Sequence, residues 1–361
     1  MTETLPYPLT YPQTYEDQLH FIREYVHDAQ KIILNNFLNK TTPLATLFEK
    51  NTLLAEQSLE KACGIALAEI SQKALLPQGG FVIIAMGKFG GRELNFFSDL
   101  DLMFFYENPE DFEYYSLFVR RLITTLSVVT QDGYAYQIDT ELRPSGNSGM
   151  LLSTLKSWKE YAAKGIQLWE KQSLLKARPL LILSQPHPSP TFHYDVLQTI
   201  DSIRYQQLQP SESISHDLYS MRLRIQNELA REKNNLFNIK TGYGGLIDIE
   251  FLTQYLQMLH AHQYQDLRTT NTLEALNQLG RLKILSVEDV KTLSRIYIYY
   301  RELEAYFRIT LLKSTDEIRS PSEVTYQVEE KYYQGKKILE TYLPTREIVR
   351  SIYIKVLGVK L

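Results

Sequence analysis

Two aspartates interrupt an apolar stretch of this sequence shortly after a glycine-rich turn. Residues 81–106 read FVIIAMGKFGGRELNFFSDLDLMFFY. Alternate side chains of a strand share a face, so Asp99 and Asp101 point the same way, while the flanking leucines point into the core. Two adjacent carboxylates repel each other unless a cation neutralises them, and hard oxygen ligands favour Mg²⁺ or Mn²⁺. A pair of such metals can hold the attacking and leaving oxygens of a phosphoryl transfer.

The turn before the aspartates is suited to phosphate binding. Its glycines allow backbone N–H groups to approach phosphate oxygens, and Lys88 adds a positive charge. A Gly-Gly turn alone or an Asp-x-Asp pair alone is common in proteins and does not by itself indicate a functional site. The order found here is more specific: a strand, Gly-Lys, ten residues, then Asp-Leu-Asp-Leu and a strand. It predicts a nucleotidyl-transfer site. The predicted nucleotide-binding residues are Gly87, Lys88, Gly90, Gly91, Ser98 and Arg143.

A third acid is expected on a neighbouring strand, and Asp139 in YAYQIDTELRP is the candidate. Strand alternation would place Asp139, Glu141 and Arg143 on one face. Taken alone, this pattern fits an amphipathic strand with a solvated polar side, and Arg143 could either contact phosphate or pair with Glu141. The predicted catalytic and metal-binding residues are Asp99, Asp101 and Asp139.

The elements that would position these residues form a small α/β unit. Apolar runs bounded by turn residues predict strands at 81–86, 99–106 and 134–142. Apolar residues at helical spacing predict helices at 14–39, 43–75, 111–131 and 153–176, with Thr14 as a cap of the first and Gly133 at the end of the third.

Three prolines within 184–190 indicate a domain boundary, because a helix cannot continue through them. Beyond it the sequence reads as helical throughout, at 221–232, 245–262, 272–282 and 287–312. The predicted fold is α+β and mostly helical. Three parts are expected: a helical N-terminal segment at 1–75, a nucleotidyltransferase domain at 76–183 and a helical bundle domain at 190–361.

Composition excludes several classes of protein. The net charge of −3 over 361 residues argues against a nucleic-acid partner. No apolar stretch approaches the ~20 residues of a membrane span, and the N-terminus lacks the pattern of a signal peptide. Cys63 is the single cysteine, so no internal disulfide is possible. We therefore expect a cytoplasmic protein.

Four segments carry a resemblance to a known family: MGKFGGRELNFFSDLDLMFF, IDTELRPSGNSGMLLSTLKSWKEY, LWEKQSLLKARPL and FNIKTGYGGLIDIEFLTQYL. In order, they span approximately residues 75–310 and resemble the glutamine synthetase adenylyltransferases, which belong to the DNA polymerase β nucleotidyltransferase superfamily. The resemblance implies a polymerase-β-like sheet domain followed by an all-helical domain. It also implies that Asp99, Asp101 and Asp139 bind the metals.

Members of that family usually contain two catalytic halves, and LRPSGNSG and GGLIDIEF are more similar to the adenylylating half. The resemblance implies transfer of AMP from ATP to a tyrosine of glutamine synthetase by a two-metal mechanism, with a PII-type signal protein as a further partner. Three alternatives remain open: phosphorolytic removal of AMP, nucleotidyl transfer to another acceptor, and an inactive module that binds a partner.

The sequence departs from the family pattern at Glu141, where an arginine is usual. A carboxylate there would weaken nucleotide binding, alter the metal site or change the acceptor.

Other basic residues allow two readings. Lys176 and Arg178 could reach phosphates or form a solvated basic helix end. Arg222, Arg224 and Arg231 read as a polar helix face.

Gly244-Gly245 predicts a tight turn with Asp248 in the first helical turn.

Overall fold

A computed structural model describes residues 14–71, 76–143, 146, 149–182, 186–187, 189–208 and 211–359. Thirteen α-helices and seven short strands lie within these residues. The predicted α+β, mostly helical class is confirmed. Across the described part of the chain, every helix is too short or too polar to cross a membrane.

Three helices at the N-terminal side pack together. Helix α1 (Tyr15–Leu38) begins as predicted at Thr14, whose hydroxyl oxygen accepts a hydrogen bond from the Asp17 N–H at 3.2 Å. Helix α2 spans Leu44–Ile70; residues 72–75 of its predicted range lie outside the described residues. Helix α4 (Phe112–Ser127) lies against both. Helix α4 ends at Val128 rather than at Gly133. Gly133 has a positive φ and forms a turn with Thr130.

The sheet is small and mixed. Its strands are β1 (Phe81–Ala85), β2 (Leu100–Tyr106), β3 (Ile138–Asp139), β4 (Leu152–Thr154) and β5 (Arg178–Pro179). Strand β1 lies between β2 and β5 and is antiparallel to both. Strands β3 and β4 pair in parallel with successive parts of β2. The four-residue helix α3 (Gly87–Gly90) follows β1 directly.

Both faces of the sheet are covered, which explains why β1 and β2 read as almost continuous apolar runs. On one face Phe81 stacks on Tyr115 of α4, with ring centroids 4.9 Å apart. On the other face Val82 and Ile84 pack in a cluster with Trp158. Helices α5 (Leu155–Ala163), α6 (Leu168–Leu174) and α7 (Pro190–Arg204) cover this second face.

Two predicted elements are wrong in extent. The strand expected at 134–142 is only Ile138–Asp139, because the N–H groups of Ala135 and Tyr136 donate to the carbonyl of Leu126 instead of to a strand. The Asp139 side chain then accepts the Glu141 N–H at 2.7 Å and turns the chain away. The helix expected at 153–176 is two helices, α5 and α6, separated by a turn at Gly165 with φ of +113°.

The C-terminal part is helical, as predicted. Its helices are α8 (Glu212–Ile225, extended by a π-helical turn at Gln226–Ala230), α9 (Leu246–His260), α10 (Thr272–Arg281), α11 (Val287–Leu311), α12 (Glu323–Tyr333) and α13 (Ile338–Leu357). A two-stranded antiparallel ribbon that sequence analysis missed joins β6 (Leu236–Asn238) to β7 (Glu317–Arg319). Many of the tyrosines are interior side chains: Tyr297, Tyr300, Tyr342 and Tyr353 are all fully buried.

The chain divides into two compact units. The first extends to Leu94 and resumes at Ser98–Ile203, so it contains the whole five-stranded sheet. The second comprises Arg204–Leu361 together with the short segment Asn95–Phe97.

The segment Asn95–Phe97 is held inside the second unit by a buried polar network on α11. The Asn95 amide donates to the Arg301 carbonyl at 3.1 Å and to the Glu304 carboxylate at 2.9 Å. The Arg308 guanidinium donates to the Phe96 carbonyl at 3.0 Å and pairs with Glu304 at 2.8 Å. These contacts satisfy the polar groups of a segment that would otherwise be costly to bury.

Candidate active site

The centre of the site is the point where β1 ends and β2 begins. The Met86 N–H donates to the Asp101 carbonyl at 2.9 Å, which keeps the two strands paired up to the glycine-rich turn. Gly87 follows with a φ of +50°. A Cβ atom at Gly87 would lie 2.3 Å from the Asp101 carboxylate oxygen Oδ2. Asp101 therefore lies directly against the turn, and only glycine leaves it room there.

Asp139 is brought beside Asp101 by strand pairing. In the parallel pair of β2 and β3, Asp101 is the register partner of Asp139. Register partners point to the same face, and neighbouring strands are about 4.8 Å apart. Two of the three predicted acids are thus neighbours on one face of the sheet, beside the glycine-rich turn.

Asp99 immediately precedes β2 and is exposed. In the described part of the chain, no three His, Cys, Asp or Glu side chains gather into a group that could hold a metal ion. What the structure offers is the carboxylate pair of Asp101 and Asp139. Mg²⁺ is commonly bound by one or two carboxylates together with substrate phosphates, so this pair fits such an ion. The role of Asp99 as a third ligand stays a prediction.

The glycines of the turn have a structural reason that sequence analysis did not find. The N–H groups of Gly90 and Gly91 donate to the carbonyls of Met86 at 2.7 Å and Gly87 at 3.1 Å. A Cβ atom at Gly90 would lie 1.8 Å from the carbonyl oxygen of Lys176. The packing of the chain after α6 therefore requires glycine at this position whether or not Gly90 contacts a nucleotide.

A buried carboxylate that sequence analysis missed lies behind the turn. Glu93 is only 2% exposed. Its Oε2 lies 2.8 Å from Nζ of Lys176 and 3.9 Å from Nζ of Lys88. Local sequence patterns could not reveal this contact, because Glu93 and Lys176 are 83 residues apart and lie in two different segments.

Lys176 and Arg178 do not form a solvated helix end, because both are largely buried. The Arg178 guanidinium donates to the carbonyls of Phe89 and Gly90 at 3.2 Å each and pairs with Glu56 at 2.7 Å. Burial lowers the pKa of Arg178, and the neighbouring Glu56 opposes this shift. The segment Lys176–Arg178 thus holds the glycine-rich turn through both its side chains and its backbone.

Arg143 and Glu141 do not share a strand face with Asp139, because β3 ends at Asp139. Arg143 donates to the Thr140 carbonyl at 2.6 Å, the Thr140 hydroxyl at 2.9 Å and the Gly149 carbonyl at 3.1 Å. It therefore ties together the loop that follows β3. Glu141 is exposed. Ser98 is partly buried next to Asp99, and its contact with a nucleotide, like that of Arg143, stays a prediction.

Comparison with known proteins identifies the family. Residues 6–192, just over half of the chain, match the family described as glutamate-ammonia ligase adenylyltransferase. Residues 219–335 match a second family, described as GlnD PII-uridylyltransferase. The chain belongs to the glutamate-ammonia ligase adenylyltransferase family.

Curated relatives agree with this assignment. The chain is 30% identical over 324 residues to a protein of Psychromonas ingrahamii named bifunctional glutamine synthetase adenylyltransferase/adenylyl-removing enzyme. It is 29% identical over 309 residues to a protein of the same name from Rhodopseudomonas palustris. The alignments cover 83% and 82% of this chain but only 33% and 30% of those proteins. The chain spans about a third of the length of these relatives.

Proposed function

We propose that this protein is a nucleotidyltransferase that transfers AMP from ATP to a tyrosine hydroxyl of glutamine synthetase. The observation that carries the proposal is the Asp101–Asp139 carboxylate pair facing the Gly87 turn. The family of the chain and the names of its relatives support the choice of donor and acceptor.

In the proposed reaction the tyrosine oxygen attacks the α-phosphorus of ATP. A new P–O bond forms, the bond to the bridging oxygen of the β-phosphate breaks, and pyrophosphate leaves with the electron pair. A tyrosine hydroxyl has a pKa of about 10, so it needs help to lose its proton at neutral pH. Asp139 is the proposed acceptor of that proton, since it lies on the reacting face.

Asp101 and Asp139 would hold divalent cations, with Asp99 as the further predicted ligand. When bound, Mg²⁺ would neutralise the phosphates and favour the ionised hydroxyl. Lys88, at the start of the turn, is the proposed contact for the phosphate chain and orients the leaving pyrophosphate. Gly87, which has no side chain, lets the Asp101 carboxylate lie directly against the turn.

The decisive experiment is transfer of label from α-³²P-ATP to purified glutamine synthetase in the presence of Mg²⁺. We expect Asp101→Asn and Asp139→Asn each to reduce transfer by about 100-fold or more, because each removes a carboxylate of the pair. Asp28 is an exposed aspartate on α1. Asp28→Asn is therefore the matched control and should keep full activity. A wild-type protein that labels no glutamine synthetase would refute the proposal.

Removal of AMP by phosphorolysis is the second candidate. It is favoured by one observation: the relatives' names include both an adenylyltransferase and an adenylyl-removing activity, and this chain spans only about a third of their length. Adenylylated glutamine synthetase incubated with inorganic phosphate separates the two reactions. Release of ADP would assign removal, whereas its absence alongside positive label transfer would assign addition.

A PII-type signal protein is the proposed regulatory partner. The support is the match of residues 219–335, which lie in the second unit, to a family described by its action on PII. Co-elution or a binding titration with a purified PII protein tests this partner. No detectable binding at micromolar concentrations, with glutamine or ATP present, would remove it from the proposal.

A further inference from the structure

We propose that Asn95 and Arg308 are positioning residues for Asp99, because they fix the segment that leads into this acid to helix α11. Through them the second unit sets how Asp99 is presented to a metal ion. The inference rests on the proposed function, since it takes Asp99 as the further metal ligand predicted there. Its basis is the segment Asn95–Phe97, which belongs to the second unit although the residues on both sides of it belong to the first.

The segment is fixed to α11 through both a side chain and the backbone. The Asn95 amide donates to the Glu304 carboxylate at 2.9 Å and to the Arg301 carbonyl at 3.1 Å. The side-chain oxygen of Asn95 accepts the Phe96 N–H at 2.9 Å, and Arg308 donates to the Phe96 carbonyl at 3.0 Å. All five residues are buried, so these bonds do not compete with solvent.

Arg308 is itself held in a single place, which makes it a rigid anchor. Its guanidinium pairs with Glu304 at 2.8 Å and with Asp316 at 2.9 Å, and it donates to the Thr315 carbonyl at 3.2 Å. Hydrogen bonds between ionised groups are among the strongest in proteins, and several of them together fix the direction of the guanidinium. The position of α11 is therefore passed on to the carbonyl of Phe96.

Asp99 is fixed from its other side by the sheet. The N–H of Leu100, the next residue, donates to the Gln137 carbonyl at 2.9 Å, where β2 begins. On the preceding side, two residues separate Asp99 from the anchored Phe96. A chain advances at most about 3.6 Å per residue, so a shift of α11 that moves Phe96 has to be taken up by the three residues that include Asp99.

The backbone of Phe97 is consistent with a segment that is held at both ends. Its φ of +54° lies in the left-handed region, which residues other than glycine seldom adopt. Such a conformation persists only where the surrounding structure imposes it. Release of the segment from α11 would allow Phe97 to relax, and the direction in which the chain enters Asp99 would then change.

The test measures binding of Mn²⁺ to the full chain by calorimetry, in the presence of a non-hydrolysable ATP analogue, and does not depend on transfer to an acceptor. Asp99→Asn should weaken Mn²⁺ binding about tenfold or more, because a carboxylate ligand is lost. Asn95→Ala and Arg308→Met should each weaken it about tenfold, since residues that orient a metal ligand have effects of this size. Melting temperatures report the folding of every variant.

Combining the substitutions separates positioning from a general loss of structure. If Asn95 acts through Asp99, the double variant Asn95→Ala/Asp99→Asn should bind Mn²⁺ within about twofold of Asp99→Asn alone. Arg222→Met is the matched control, because Arg222 is a fully buried arginine of the second unit that pairs with Asp248. This control should lower the melting temperature but leave Mn²⁺ affinity within about twofold of the wild type.

The outcomes are distinct for the two proposals. A wild-type protein that binds no Mn²⁺ beside the nucleotide would overturn the proposed function and this inference with it. Normal Mn²⁺ binding by Asp99→Asn would overturn the inference alone, because Asp101 and Asp139 would remain the proposed metal site. The same holds if Asn95→Ala binds Mn²⁺ like the wild type, or if its effect multiplies with that of Asp99→Asn. Asn95→Ala removes the smaller group, so it decides the question if Arg308→Met does not fold.

Discussion

At the scale of single residues, Gly90 shows how closely three parts of the chain approach one another. The missing side chain leaves space filled by the carbonyl of Lys176 on one side and the carbonyl of Ala85 on the other. Ala85 belongs to β1, and Lys176 lies two residues before β5, which pairs with β1. Both oxygens are backbone atoms, so neither can move away as a flexible side chain could. The position tolerates no side chain even without any ligand.

We predict that Gly90→Ala reduces the free energy of unfolding by about 3 kcal/mol or more, because its Cβ would overlap backbone atoms rather than a flexible side chain. Gly133→Ala is the matched control. Nothing lies within 4 Å of its Cβ, and only its φ of +79° is unfavourable, so about 1 kcal/mol is expected. Urea denaturation of both variants checks the difference, and equal losses would contradict it.

At the scale of elements, Arg23 of α1 closes the end of α4. It is fully buried, and its guanidinium donates to four backbone carbonyls, those of Leu19, Thr125, Val128 and Gly133. Carbonyls at a helix C-terminus lack partners within the helix and attract a positive charge. Burial lowers the pKa of Arg23 below its ordinary value. The chain that leads to β3 and Asp139 therefore leaves α4 from a fixed end.

We predict that Arg23→Met destabilises the protein by about 2 to 3 kcal/mol, because several buried carbonyls lose their donor. Arg23→Lys should fall between this variant and the wild type, since an ammonium cannot span carbonyls in four directions. Thermal and chemical denaturation measure both. An Arg23→Met variant within 0.5 kcal/mol of the wild type would show that solvent can satisfy these carbonyls.

His20, one turn earlier on α1, contributes a pH-dependent contact to the same region. Its Nδ1 lies 2.9 Å from Asp132, and the hydrogen bond to Asp132 raises the pKa of His20 above 6.5, with Glu24 adding to the shift. A raised histidine pKa means that the contribution is complete below pH 6.5 and is lost as the pH rises through the folded-state value. Because the pair is exposed, the effect is small.

We expect His20→Gln to remove this part of the pH dependence. The urea midpoint of the wild type should decrease as the pH rises from 6 to 8, and that of His20→Gln should decrease less. The comparison is made at low ionic strength, where a surface pair is least screened. Parallel curves for the two proteins would contradict the assignment.

Sequence patterns predicted those elements whose burial is uniform along their length. Strands β1 and β2 and helix α4 were confirmed because each presents a continuous or periodic apolar pattern to a covered face. Strand β3 was predicted too long, since its end is set by one side-chain hydrogen bond of Asp139. The β1–β5 pairing and the contact of Glu93 with Lys176 depend on residues distant in sequence, which a local pattern cannot report.

At the scale of the whole molecule, the second unit contains a buried group of charges where the sequence indicated a polar helix face. Arg222 is fully buried and pairs with Asp248 at 2.7 Å, and Arg350 approaches the same carboxylate at 3.2 Å. Arg224, in contrast, is exposed as expected. The tight turn at Gly244-Gly245 and the place of Asp248 in the first turn of α9 are confirmed. Helices α8, α9 and α13 thus meet at one carboxylate.

We predict that Asp248→Asn costs about 3 to 5 kcal/mol, because it leaves two buried guanidinium groups without their shared counter-charge. Asp266→Asn makes the same chemical change at an exposed position of the second unit and should stay within about 0.5 kcal/mol of the wild type. Calorimetric melting of both variants measures the difference. A small loss for Asp248→Asn would mean that water or rearranged side chains compensate the arginines.

The segment Asn95–Phe97 has a consequence for exchanging parts between relatives. Family boundaries along the sequence are contiguous, at 6–192 and 219–335, but the second unit is not, because it includes three residues from within the glycine–aspartate motif. A chimera joined near residue 204 would unite the helices of one parent with the Asn95 and Phe96 of the other. The side chains of α11 would then meet their own partners only if residues 95–97 were transplanted with the helices. A functional graft therefore needs two crossovers more than the contiguous family boundaries suggest.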